Sequence, residues 1–382
     1  MSFFREIDGI NFLMEHRYRL KSKHPQRRNE ISITLPLILI NKNMPEKLLY
    51  YLGAGASAFA LPISKSIKDE KTSQILVQGL ADELINIDFD YLSSRLKDHD
   101  LAKKVVDLKG RFEDLALKAN LFGDVDTYAK YLNLMSPGGH EIKELKQTIS
   151  QFFAIKQLIL NARDKRYLPW LVGIMQRKIF PENVKILSWN YDYQVQFASG
   201  QIGSFEDVKH ENNSFTYSPS MLPYYPNIDP TFSDFHQLSL IHLNGIAGIA
   251  KMEWPKTGSA FQKSNINDYD SIFRFIINND LNSSLHFAWE NSGYHNKLMN
   301  HVKNMIYDTT IMVIIGYSFP FFNREFDKQI MTMLKGQNKF PKIYYQDPIL
   351  DGKQLITQFG FKSNYEIVPI RNIDRFHIPF EY

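Results

Sequence analysis

The chain of 382 residues contains no cysteine. That removes disulfide frameworks, thiolate nucleophiles and every zinc site built on Cys. It has little Trp, with 4 residues, and no long hydrophobic run: the longest, Leu35 to Ile40, is far too short to cross a bilayer. Charge of one sign is also missing. Lys and Arg number 45 against 41 Asp and Glu, a net +4 that does not by itself argue for a polyanionic partner. Glu6 and Asp8 stand where a secretory leader would carry a basic start and an apolar core. These absences predict a cytoplasmic protein with no membrane contact.

What is present is an ordinary globular composition, 44 % hydrophobic and 23 % charged, with 28 Phe and 20 Tyr. This length affords a sizeable core in one large domain or two smaller ones. Aromatic richness suggests rigid packing and self-association into a homo-oligomer. Residues 1–45 read as an N-terminal arm and an edge strand. Arg17, Arg19, Lys21, Lys23, Arg27 and Arg28 cluster there, either as a solvated surface or as a weak nucleic-acid contact.

Residues 46–382 read as one α/β domain with a doubly wound, mostly parallel sheet. Leu48–Leu52, Val184–Ser188, Leu238–His242, Thr310–Ile315, Lys342–Tyr345 and Tyr365–Pro369 are short apolar runs of strand type. Helical periodicity lies between several of them, at 296–308, 322–335 and 352–359. Residues 70–180 read as a helical subdomain inserted into that fold. Leu76, Leu80 and Leu84, and then Leu145, Ile149 and Phe153, repeat at four-residue spacing, and Asp126 can cap a helix. Residues 200–236, rich in Ser, Asn, Pro and aromatics, read as an irregular insertion.

Polar and glycine residues follow the strands, where such sheets hold ligands. Gly53-Ala54-Gly55-Ala56-Ser57 suits the close approach of a pyrophosphate at a helix N-terminus, although paired glycines also serve packing alone. Asp69 and Glu70 lie at a loosely suitable distance to hold a ribose, within a polar stretch that also fits a solvated surface. Asn190-Tyr191-Asp192 offers hydrogen bonds to ribose hydroxyls and to a carboxamide, or an Asx turn closing a strand. His242 offers a general base near neutral pH, or a core imidazole.

In their order along the chain, these motifs resemble the sirtuin-like NAD-binding fold. Gly53 to Ser57 is similar to the sirtuin Gly-Ala-Gly-x-Ser turn, Asn190-Tyr191-Asp192 to the end of its Thr-Gln-Asn-x-Asp motif, His242 to Gly245 to its His-Gly motif, and Gly316-Tyr317-Ser318 to its late Gly-x-Ser. The segment from Ile314 to Asp327 resembles bacterial sirtuin-like proteins of antiphage defence. The resemblance implies a Rossmann-like fold and NAD+ as a substrate, with no metal. It gives Gly53, Ala54, Gly55 and Ser57 the pyrophosphate, Asp192 the carboxamide, Asn190 the ribose or an attacking water, and His242 the proton. Ser318 and Asn323 are implied to contact the adenosine, and Tyr191, Asn244, Gly245 and Gly316 complete the binding set.

Departures narrow the activity. The cysteine-held zinc ribbon of sirtuin deacylases is absent, and their Gly-Ile-Pro-Asp-Phe-Arg segment shrinks to Leu61-Pro62-Ile63-Ser64. His-Gly becomes His242-Leu243-Asn244-Gly245. The expectation is therefore an NAD+ glycohydrolase acting in defence, controlled by oligomerisation or by a partner such as a HerA-like ATPase or an Argonaute-type protein. The alternatives are a non-catalytic subunit that senses NAD or ADP-ribose and, less favoured, an NAD-dependent deacylase.

Overall fold

The computed structural model describes residues 5–7, 10–12, 46–68, 75–175, 180–203, 240–247, 249–251, 257–259, 269–278, 281, 285–290, 293–337, 341–361 and 366–382. The chain parts into two compact units, Met1–Asn43 and Met44–Tyr382. Described in the first is a small antiparallel hairpin of β1 (Arg5–Ile7) and β2 (Ile10–Phe12). The expected basic arm and the expected edge strand at residues 31–35 lie outside the described residues.

The second unit is built on six parallel strands: β3 (Leu48–Leu52), β6 (Val184–Ser188), β7 (Leu240–His242), β10 (Ile311–Ile315), β11 (Lys342–Gln346) and β12 (Ile367–Ile370). Two minor hairpins, β4 (Ile67–Lys68) with β5 (Ile75–Val77) and β8 (Ile249–Lys251) with β9 (Thr257–Ser259), stand outside this sheet. The spatial order is β12-β11-β10-β3-β6-β7. Numbered among themselves along the chain, the six strands run 3-2-1-4-5-6 from one edge, the order of dinucleotide-binding sheets. The chain therefore reverses its direction of travel between β3 and β10, which pair in register from Leu48 with Ile311 to Leu52 with Ile315.

Strand β3 is apolar at every position because both of its faces are covered. Leu49 and Tyr51 join Leu187, Met312, Ile314 and Tyr345 on one face, beneath α9 (Gly293–Ile306), α10 (Arg324–Lys335) and α11 (Lys353–Phe359). Leu48, Tyr50 and Leu52 join Ile186, Val313 and Tyr344 on the other, against α6 (Tyr167–Ile174) and α7 (Gln194–Gly203). The period-2 alternation thus separates two cores, not a core from solvent.

Between β3 and α6 the described residues form five α-helices: α1 (Leu80–Ile85), α2 (Phe89–Ser94), α3 (His99–Phe122), α4 (Val125–Met135) and α5 (His140–Ala154). With α8 (Tyr269–Asn278) they share a third apolar cluster that includes Leu108, Phe112, Phe152 and Phe273. Leu145, Ile149 and Phe153 lie buried along α5 as their spacing predicts. Leu76 does not continue the α1 repeat: it lies in β5, and α1 starts after Gly79. The cap of α4 is Asp124, whose carboxylate accepts from the Thr127 amide, while Asp126 sits in the first turn. Asp124 directly follows the left-handed Gly123 that ends α3, so this two-residue joint leaves the cap no other place. Of the expected irregular segment at 200–236, residues 200–203 close α7 and the rest lies outside the described residues. Among the described residues, no helix is long and apolar enough to cross a membrane.

The strand ends at the reversal point meet through glycines. A Cβ on Gly53 would lie 2.5 Å from the Gly316 carbonyl oxygen, and one on Gly55 would lie 2.7 Å from Gly316 Cα. Gly316 itself has φ +57°, a region L-residues occupy only at a cost. Gly316→Ala is therefore expected to destabilise the protein by roughly 2–4 kcal/mol. Gly110→Ala, in the middle of α3 with nothing near the new methyl, should instead stabilise it by about 0.5–1 kcal/mol. Urea denaturation followed by circular dichroism measures both, and equal effects would contradict the packing argument.

Candidate functional site

The carboxyl ends of β3, β6 and β7 bring four of the sequence candidates into one buried network. Ser57 Oγ donates to Asp192 Oδ2 at 2.6 Å. It also pairs with the Tyr167 hydroxyl at 2.8 Å and accepts from Asn190 Nδ2 at 3.3 Å. Since Ser57 has one proton, given to Asp192, the Tyr167 hydroxyl is the donor in its own pair. The second oxygen of Asp192 accepts from the Gln194 amide at 3.1 Å. Burial pushes the Asp192 carboxyl up to about 6, against the pull of the Ser57 hydrogen bond.

His242 closes the network through Asn190. Its Nδ1 lies 3.0 Å from the Asn190 carbonyl oxygen and its Nε2 2.9 Å from Gln196 Nε2. A carbonyl only accepts, so Nδ1 carries the proton. Burial holds the imidazole down at about 4, against the Asn190 bond that favours its charged form, so it is neutral at physiological pH. Nε2 is then an acceptor, filled by the Gln196 amide. Asn190, Gln196 and Asn244 are all more than nine-tenths buried, and among the described residues the side-chain oxygen of each has no hydrogen-bond donor.

The glycine turn has a different local structure from the one its sequence suggests. In place of a full helix, a four-residue 3-10 turn, Ala54–Ser57, follows Gly53. Its bonds run from Ala56 N to Gly53 O and from Ala58 N to Gly55 O, and Pro62 then stops the chain from continuing as a helix. The Gly53 and Gly55 amides donate to Ile315 O at 3.0 Å and Gly316 O at 2.9 Å, so both serve the joint with β10. Beneath the turn, Arg166 forms a buried ion pair with Asp164 at 2.6 Å and donates to the Ala56 carbonyl at 2.8 Å. Asp164 N in turn donates to Gln194 Oε1 at 2.8 Å, which ties this cation to the Asp192 segment.

The remaining candidates lie outside this hydrogen-bonded network. The Tyr191 ring packs toward the helical cluster, edge-on to Phe153 at 6.0 Å and Phe287 at 6.5 Å. Asn244 and Gly245 form the turn after β7, with Gly245 at φ +72°. Ser318 is exposed, whereas Asn323 donates to the Tyr317 hydroxyl at 3.1 Å. That hydroxyl and the Tyr51 hydroxyl both donate to Asp327, at 2.8 and 2.5 Å, and Trp189 Nε1 donates to Tyr51 at 2.9 Å. Burial lifts Asp327 to about 7 despite these donors. Asp69 and Glu70 lie outside the described residues.

Sequence reasoning missed Tyr167, Arg166, Asp164, Gln196 and Asp327. Gln194 and Gln196 carry a local signal: they begin the helix directly after the Asn190-Tyr191-Asp192 turn, at the spacing that can return a side chain to it. The others come from distant segments and have none. Among the described residues, no group of three His, Asp or Glu is arranged to hold a metal ion.

The depressed His242 value gives a test of its burial. The unfolded imidazole protonates near 6.5 and the folded one near 4, so folding loses stability as pH falls through that window. Relative to His242→Gln, the wild type should lose up to about 3 kcal/mol between pH 6.5 and pH 4. Parallel urea curves at the two pH values measure it, and an unchanged difference would show an exposed imidazole. The chain matches no family model, no curated protein and no solved structure.

Proposed function

We propose that this chain cleaves the nicotinamide–ribose bond of NAD+. The observation that carries the reading is the convergence, at the carboxyl edge of a sheet in dinucleotide-binding order, of Ser57, Asn190, Asp192 and His242 in one hydrogen-bonded group. It lies on the strands beside the reversal point, where doubly wound sheets take nucleotides. The leaving group is a cationic pyridinium, so the reaction needs a site for an oxocarbenium-like transition state and a proton acceptor more than it needs a strong acid. A neutral imidazole with its Nδ1 proton fixed on a carbonyl has Nε2 as its one basic nitrogen, which can serve as that acceptor once the Gln196 amide is displaced from it. Asn190 and Asn244 supply carbonyl oxygens, unpaired among the described residues, for ribose hydroxyls, and Arg166, paired with Asp164, braces the turn that would face the pyrophosphate.

In this reading the fold is sirtuin-like, with helices α1 to α5 as its inserted subdomain, and the cleavage depletes NAD+ in antiphage defence. An NAD+-consuming enzyme needs restraint, so self-assembly or a partner of the HerA-like ATPase kind sets its activity. A specific observation favours the second reading, a subunit that binds NAD or ADP-ribose without turnover: both oxygens of Asp192 are already engaged within the protein.

Nicotinamide release from NAD+ by the purified chain, alone and with a candidate partner ATPase, separates the two. Asn190→Ala and His242→Ala are each expected to reduce release by about 100-fold or more. Binding of NAD+ with no release under either condition would support the second reading. Undiminished release by both variants would remove these residues from the chemistry.

A further inference from the structure

Gln196 stands outside every motif, yet it controls the one lone pair that the proposed chemistry needs. The neutral His242 imidazole has a single basic nitrogen, Nε2, because Nδ1–H is held on the Asn190 carbonyl. Gln196 Nε2 donates to that nitrogen at 2.9 Å. In this arrangement the imidazole is fully satisfied and the glutamine is half satisfied, since Gln196 Oε1 is buried without a donor. An orphaned buried acceptor carries a penalty that a donor from a bound molecule relieves. The orphaned oxygens of Asn190 and Asn244 belong to the same neighbourhood: Asn190 carries the carbonyl that orients His242, and Asn244 lies two residues beyond it. Three buried acceptors at one place, without donors among the described residues, suit a ligand that brings O–H or N–H groups.

We propose that Gln196 is a positioning residue that masks His242 in the resting protein, and that a hydroxyl of a ribose diol takes its place at Nε2 when ligand binds. The inference rests on reading His242 as the base for NAD+ cleavage. A hydroxyl carries one donor and two acceptor sites. Its O–H can replace the glutamine N–H at Nε2, and its lone pairs can receive the displaced amide, so the exchange leaves no donor unpaired. The neighbouring hydroxyl of the diol can then donate to an orphaned asparagine oxygen. An imidazole masked in this way takes no proton from water, so the resting site is silent until a sugar enters.

The test uses the full chain with 15N-labelled histidine, His242→Gln identifying the resonances of His242 among the 11 histidines. The wild type is expected to show a neutral ring protonated at Nδ1. Gln196→Met, similar in size and without a donor, should lose the hydrogen-bond shift at Nε2. Gln196→Glu, which can only accept when ionised, should drive a proton onto Nε2. ADP-ribose added to the wild type should shift Nε2, while a nucleotide lacking the second ribose, ADP, should not. In the nicotinamide-release assay, Gln196→Met should turn over NAD+ at least threefold faster than wild type. Wild-type nitrogen shifts in Gln196→Met, or slower release by that variant, would overturn the proposal. If no protein releases nicotinamide while the nitrogen shifts follow the pattern given, the masking stands and the NAD+ cleavage reading fails.

Discussion

A methyl group does not fit between the first and fourth strands of this sheet, and much of the structure follows from that. Gly53, Gly55 and Gly316 bring two loop backbones into direct contact at the point where the chain reverses its direction across the sheet. Any side chain there would force β3 and β10 apart at their carboxyl ends. The contact fixes the Ala54–Ser57 turn, and the turn fixes Ser57. Ser57 gathers Asp192, Asn190 and Tyr167 around one hydroxyl.

Each face of the sheet contributes one buried ionisable anchor to that joint. On the α6 side, Arg166 is held by Asp164 and reaches the turn carbonyls and the Ile373 carbonyl of the C-terminal segment. On the α10 side, Asp327 accepts from Tyr51 and Tyr317, and Trp189 extends the chain of donors. These three aromatics lie at the ends of β3, β10 and β6. The anchors therefore hold the strand ends and not the strands themselves, whose apolar packing is sufficient. A buried charge left without its partner is strongly destabilising, so such anchors serve positional accuracy more than net stability.

Much of the architecture was legible in the chain. The apolar runs that became β3, β6, β7, β10, β11 and β12 and the periodic segments that became α5, α9, α10 and α11 are local patterns, set by burial on both faces or on one stripe. Where the expectation failed, a local breaker decided the matter. Pro62 kept the glycine turn from running on into a helix, Gly79 separated Leu76 from α1, and the Gly123–Asp124 joint placed the α4 cap two residues nearer the N-terminus than expected. The candidate site was partly legible. Strand-end Asn190, Asp192 and His242 converge because parallel strands deliver all their carboxyl ends to one edge, whereas Ser318 and Asn323 follow a strand of the same edge and still lie apart from the network.

The sequence by itself determined the strands, the residues at their ends and the absence of any thiol chemistry, since these depend on residue type and short-range periodicity. Only the tertiary structure decided the strand order, the interlock of Gly316 with the glycine turn, the burial of Arg166 under it and the engagement of His242 by Gln196. Those are relations between segments up to about 260 residues apart, and no local preference encodes which partner a buried polar atom will find. That choice is made when desolvation leaves each donor one reachable acceptor.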